Sequence, residues 1–314
     1  MSRTSKLLSS AALIAASIAA LAAGPAMAQT KPVIGLAVAN LQADFFNQIK
    51  QSAEAEAKAK GADLVVVDAH GDSATQVNQI QDLITRGVKA IIYIPAGATA
   101  AGVPVRAAEK AHIPVVAVDR NAPDAPAQTF IASDSVAAAH TLGDYVCKQT
   151  GGKGVIGVIQ GQIGTTPQRD REKGFDEALK SCPGLKIVAE QPSQEWSQAE
   201  GFNIGQDMLQ RHPEITVFFG QADGLALGAA QAVKVANADH PIMVVGFDGD
   251  VAALKAVQKG TLAATMTQKT RFMGRLAVDS ALDLINGKSL PSEQLQPAVL
   301  TTKSNVAPFI TTHP

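Results

Sequence analysis

From residue 33 onward, short and wholly apolar runs alternate with longer segments whose apolar residues recur at helical spacing. Runs 33–38, 64–67, 91–94 and 115–118 are continuous and aliphatic, the pattern of strands buried on both faces. Between them, 45–60, 74–86 and 98–111 have helical composition and length. In the second of these, Val77, Ile80 and Ile84 fall at i, i+3 and i+7 and share one helix face. Gly61 and Gly87 stand just past the first two helices, where a left-handed residue ends a helix. The same grammar then restarts, with strands at 155–159, 187–190, 216–219 and 242–246 and helices at 135–149, 166–181, 197–211, 225–236 and 251–258. A strand at 262–267 and a long helix at 272–286 follow. This alternation predicts an α/β fold with parallel sheets and right-handed crossovers, and the restart predicts two similar Rossmann-like lobes. No Pro/Ser-rich linker divides the halves, so close strand crossings join them rather than a tether.

The first 28 residues break the pattern. Arg3 and Lys6 precede an apolar, Ala-rich stretch to Ala23, and Gly24-Pro25 leads into Ala26-Met27-Ala28. That is the layout of an export signal cleaved after Ala28, and the run is short for a membrane anchor. An exported α/β protein meets little ATP or nicotinamide cofactor, which points to capture of a nutrient rather than cofactor chemistry. Cleavage removes Arg3 and Lys6 and moves the formal charge from −1 to −3, a balance that suggests neither nucleic acid nor an anionic membrane as partner. Only Cys147 and Cys182 occur. In an exported chain such a pair is predicted to form a disulfide, since two thiolates without neighbouring histidines make a poor metal shell. The six histidines are scattered and are expected at the surface or at helix caps.

In open parallel sheets ligands sit beyond the carboxyl ends of the strands. The segments there are 40–46, 119–121, 160–171, 191–196, 220–223 and 247–249, and they mix aromatic rings with Asp, Arg, Asn and Gln. Planar Asp and Arg groups suit adjacent hydroxyls and rings suit the C–H faces of a sugar, so a polyol is the expected ligand. Gly161-x-x-Gly164-Thr165-Thr166 stands at a helix start but lacks the Gly-Lys-Ser/Thr of a phosphate loop. Neither a G-x-S-x-G elbow nor a metal triad is present, so the sequence predicts no enzyme, no cofactor and no metal.

Seven motifs then recur in order: Asp44-Phe45-Phe46, Val118-Asp119-Arg120, Ile131-Ala132-Ser133-Asp134, Gly161-x-x-Gly164-Thr165, Arg169-Asp170-Arg171-x-x-Gly174-Phe175, Val245-Gly246-Phe247-Asp248-Gly249 and Leu262-Ala263-Ala264-Thr265. Together they resemble the periplasmic ribose-binding proteins, a branch of the type I solute-binding proteins that serve ABC importers. The resemblance implies two lobes joined by a three-strand hinge and closing on one sugar. They comprise 29–133 with 269–298, and 134–268 with 299–314. It implies ligand contacts from Phe45, Phe46, Asp119 and Arg120 in one lobe, and from Arg171 (rather than Arg169), Trp196, Phe247 and Asp248 in the other. Gln268 would stand at the hinge, and Trp196 would replace a phenylalanine while keeping a stacking face. The implied partners are a sugar or sugar-like polyol and the membrane subunits of an ABC permease, or a chemoreceptor if the protein is sensory, with the protein itself a periplasmic monomer.

The sequence departs from the ribose pattern where that pattern has three asparagines: Ala43, Ile94 and Ala222 stand there. Each hydroxyl left without its partner costs about 1–3 kcal/mol, which argues against ribose held in the same pose. Gln42, Asp44 and Gln221 are the candidates to reach in instead.

Overall fold

The computed structural model describes residues 31–313, and the expected export signal and its cleavage site lie outside them. The first lobe opens with β1 (Val33–Val38), α1 (Asp44–Ala59), β2 (Asp63–Asp68), α2 (Ser73–Thr85), β3 (Ala90–Tyr93), α3 (Gly102–Lys110), β4 (Val115–Val118) and β5 (Thr129–Ser133). The second runs through α4 (Ser135–Gln149), β6 (Gly154–Gln160), α5 (Thr166–Leu179), β7 (Leu185–Pro192), α6 (Gln198–Arg211), β8 (Val217–Gly220), α7 (Asp223–Ala236), β9 (Met243–Asp248), α8 (Val251–Lys259) and β10 (Ala264–Thr267). The chain closes with α9 (Thr270–Ile285), β11 (Glu293–Gln296), β12 (Val299–Thr302) and α10 (Ala307–Thr311).

Two six-stranded sheets result, in the orders β2-β1-β3-β4-β5-β11 and β7-β6-β8-β9-β10-β12. All neighbours pair parallel except β10 with β12. The chain passes between the sheets after β5, after β10 and between β11 and β12. Helices cover both faces of each sheet, as buried parallel strands require. Ile34, Leu36 and Val38 of β1 share a core with Ile49 of α1 and Met273, Ala277 and Val278 of α9, while Ala37 faces the α2–α3 side with Ile80, Leu83 and Val105. In the second sheet, α4 and α5 cover one face with Leu142, Val146 and Phe175. The other is covered by α6, α7 and α8 with Met208, Leu225 and Leu254.

Several elements differ from the hydrophobic pattern. The helix expected at 98–111 begins only at Gly102, and the strand expected at 262–267 begins at Ala264. β9 runs two residues beyond the expected 246, so Phe247 and Asp248 belong to the strand itself. Gln76, not Val77, centres the buried face of α2, because its amide donates to Ile94 O (2.8 Å) and accepts from Ala96 N (2.7 Å). His313 corrects the expectation that every histidine lies at a surface or a cap. It is buried, with Nε2 2.8 Å from Gly249 O and Nδ1 3.1 Å from Thr270 Oγ1. Cys147 of α4 is bonded to Cys182 just past α5, with Cα atoms 6.2 Å apart. Among the described residues no helix is long and apolar enough to cross a membrane.

Candidate ligand-binding site

The segments that follow β1, β2, β3 and β4 of one sheet and β6, β7, β8 and β9 of the other line a shared cavity of about 980 Å³. On the first side, Asp119 follows β4 in the left-handed region (φ +62°), a conformation Asp tolerates, and its N–H donates to Ile131 O at 2.8 Å. The turn sends Arg120 back under the loop after β3, where Nη1 donates to Pro95 O (3.1 Å) and Ala96 O (3.0 Å). Its Nε lies 3.6 Å from Asp119 Oδ2, and both side chains are buried. Phe45 and Phe46 open α1 with their rings edge to face, centroids 5.2 Å apart, and both line the cavity. The Arg120 guanidinium lies 5.5 Å from the Phe46 ring and 5.5 Å from the Trp196 ring, so one cation ties the two lobes' aromatics together.

On the second side, Arg171 projects from α5 to Asp248 at the end of β9, with Nη2 3.1 Å from Oδ1. Its Nη1 donates to Gln221 O. Gln268 Nε2 donates to the same Asp248 oxygen at 2.7 Å. Trp196 is half-buried on the loop between β7 and α6. Thr166 Oγ1 accepts from Asn121 N at 3.1 Å, a direct contact between the lobes. Four non-glycine lining residues, His70, Asp119, Trp196 and Asp248, have positive φ (+50°, +62°, +60° and +127°), so backbone strain gathers at this cavity.

The carboxylates are crowded. Burial pushes Asp248 up to about 7, with Arg171 opposing and the neighbouring Asp223 and Asp119 charges adding to the rise. Burial likewise pushes Asp223 up to about 6, against its bonds to Thr265 Oγ1 (2.6 Å), Asp250 N (2.8 Å) and Gly249 N (2.7 Å). Asp119 is raised by burial although Arg120 and Arg171 pull it down. Asp250 is raised by burial and then by Asp248, Asp223 and Asp44. Two buried Asp–Arg pairs and a protonatable carboxylate can accept from and donate to adjacent hydroxyls, and the rings can cover a sugar face.

The cavity brings together Phe45, Phe46, Asp119, Arg120, Arg171, Trp196 and Asp248, with Gln42 and Asp44 at its wall. Phe247, Gln268 and Gln221 stand behind that wall. Side chains alternate along a strand, so Phe247 faces the core of the second sheet and supports Arg171, whose guanidinium lies 4.0 Å from its ring. Gln268 positions Asp248, and the fully buried Gln221 accepts from Gly161 N at 2.9 Å. Ala43 and Ala222 do line the cavity, whereas Ile94 is sealed in the core and Ala96 forms the wall after β3. Sequence reasoning missed Asp223, which gathers the start of α8, and Gln76, which fixes the Ala96 wall from behind. Their partners lie 20 or more positions away along most of these bonds, so no local pattern marks them. Glu200 is legible in the sequence as a capping-box residue three positions after Ser197.

Residues 34–289 match the profile of the periplasmic binding protein domain. The chain is 34% identical over 282 residues to the ribose import binding protein of Escherichia coli, covering 90% of this chain and 94% of that one. An ABC transporter solute-binding protein from Bacillus halodurans, solved with bound myo-inositol, superposes with a TM-score of 0.84 at 27% identity, covering 90% of this chain and 98% of that one. One from Actinobacillus succinogenes, solved with bound D-allose, gives 0.82 at 27% identity over 88% of this chain and 99% of that one.

Proposed function

The chain belongs to the periplasmic binding protein family, and from that membership we propose that it captures a sugar or sugar-like polyol between its two lobes and delivers it to an ABC importer. The single observation that supports this most is the cavity itself, which takes one buried Asp–Arg pair from each lobe and aromatic rings from both. In this reading Asp119, Arg120, Arg171 and Asp248 fix hydroxyls, and Phe45, Phe46 and Trp196 cover the ring faces. Phe247 and Gln268 act through Arg171 and Asp248. Ligand contacts made from both sides stabilise the closed form, which the permease engages.

The lobes we propose are 29–133 with 269–298 and 134–268 with 299–314, hinged where the chain crosses between sheets. The segment 1–28 directs the chain to the periplasm and is removed, and the mature protein acts as a monomeric carrier rather than an enzyme. The relatives' ligands define the panel but not the cargo, because Ala43 and Ala222 supply no amide to the cavity wall. D-Ribose is therefore expected to bind more weakly than the true ligand.

A thermal-shift screen of the mature protein against D-ribose, D-allose, myo-inositol, other pentoses and hexoses, deoxy-sugars and acyclic polyols tests the reading. A ligand at one hundred times its Kd adds about 2.7 kcal/mol and raises the Tm visibly. No shift across the whole panel would overturn the sugar assignment.

A further inference from the structure

Trp196 lines the cavity, and behind its indole lies Gly161, buried at the end of β6. A Cβ placed on Gly161 would lie 1.8 Å from Trp196 Cη2 and 2.2 Å from Cζ2 and Cζ3. No packed structure tolerates such distances, so any side chain at 161 drives the ring forward, away from Gly161 and into the cavity. The Arg120 and Arg171 guanidiniums lie over the ring, 5.5 and 5.7 Å from its centroid, and each is anchored, one by the carbonyls of Pro95 and Ala96, the other by Asp248 and Gln221 O, so a displaced ring also presses on the groups that face the ligand.

The loop that carries Trp196 is fixed as well. The Glu200 carboxylate accepts from the N–H groups of Gln194 and Glu195 at 2.8 Å each and from Ser197 at 3.5 Å. Trp196 O packs against Gly224, where a Cβ would come within 2.8 Å. Gly161 is pinned from the other side by Gln221 Oε1. Within the second lobe, the loop that carries the ring and the glycine it rests on are therefore both held by that lobe's own bonds.

We propose that Gly161 is a specificity-setting positioning residue: by having no side chain, it fixes how deeply the Trp196 indole is recessed and so the room left for the ligand in front of it. This rests on the assignment of Trp196 as a ligand-facing wall. The three atoms nearest to Gly161 all belong to the benzo ring of the indole, and phenylalanine has no atoms at that reach. The influence of Gly161 must therefore travel through Trp196 and vanish when that residue is shortened.

A double-mutant cycle of Gly161→Ala and Trp196→Phe tests this by calorimetric titration with whichever of D-ribose, D-allose and myo-inositol raises the wild-type Tm most. Gly161→Ala is expected to weaken binding about tenfold or more, and to change it less than about twofold in the Trp196→Phe background. Trp196 is the sole tryptophan of the chain, so a shifted emission maximum in ligand-free Gly161→Ala reports the displaced wall directly. Equal losses in both backgrounds, or wild-type affinity with unchanged emission in Gly161→Ala, would overturn the proposal. Should Gly161→Ala not fold, the double variant is expected to fold with the Tm of Trp196→Phe, and a double variant as destabilised as the single one refutes the idea. If none of the three binds the wild type, the titration uses whichever other member of the panel raises its Tm most, and if no member does, the sugar assignment fails. The stability cycle then decides on Gly161 alone, coupling supporting it and additivity overturning it, with the emission of ligand-free Gly161→Ala against the wild type beside it.

Discussion

Asp248 carries both ligand chemistry and a pH dependence whose sign can be worked out. Its folded value is about 7, against about 3.9 for an unfolded aspartate. The folded state thus holds a proton that the unfolded chain has released between those values. Asp248's contribution to stability is complete below about pH 4 and is lost as the pH rises through about 7, and Asp223 acts in the same sense up to about 6. The Tm of the ligand-free protein is expected to be higher at pH 5 than at pH 8 from this cluster, with a flatter profile in Asp248→Asn. Binding runs the other way: hydroxyl donors favour the ionised carboxylate, so affinity should fall below about pH 7, with proton release detectable by titration in buffers of different ionisation heat. A second prediction concerns Ala222, the N-cap of α7 with no side-chain cap bond. Ala222→Asn should add about 1 kcal/mol of stability in chemical denaturation, and titration should show D-ribose binding about tenfold tighter through the added amide. Residues beside a strand's carboxyl end, such as Asp119 and Arg120, were legible because topology alone brings them to a cleft. Phe247 was not, because its facing depends on a strand end two residues later than the pattern indicates. Gly161 was visible only as part of a motif, since its role is a close approach by a residue 35 positions away.

At the scale of elements, the entry to α6 shows how a short loop is made rigid. Ser197 caps the helix and Glu200 returns the bond, completing a capping box, while the same carboxylate holds two further N–H groups of the loop. Glu200→Ala should cost about 1–3 kcal/mol in urea denaturation, and ligand affinity should fall with it because Trp196 loses its fixed backbone. The long helices and the aliphatic strands were readable from period and composition, since each buries a continuous stripe or run. β5, β11 and β12 were not identified as strands. β11 reads Glu-Gln-Leu-Gln and none of its residues is fully buried, so it exists through pairing with β5 rather than through its own pattern. Such an edge segment has no local hydrophobic signature to read.

For the molecule as a whole, the Cys147–Cys182 bond closes a span of 35 residues within the second lobe and staples α4 to the end of α5. Replacing both cysteines by alanine should cost about 2–4 kcal/mol, measured as a lower denaturation midpoint, with ligand affinity unchanged because neither residue lines the cavity. The three passages of chain between the sheets have a further consequence. The helix that completes the first sheet's core is α9, which the chain reaches only after building most of the second sheet, while the helix following β5 packs on the second sheet instead. A fragment cut after Ser133 would leave Ile49 and Ala53 of α1 bare, because Met273, Ala277 and Val278 would be missing. Neither half can be excised at a single bond and remain whole, so on the ribosome the first lobe must wait for about half of the chain still to be made before its core can close.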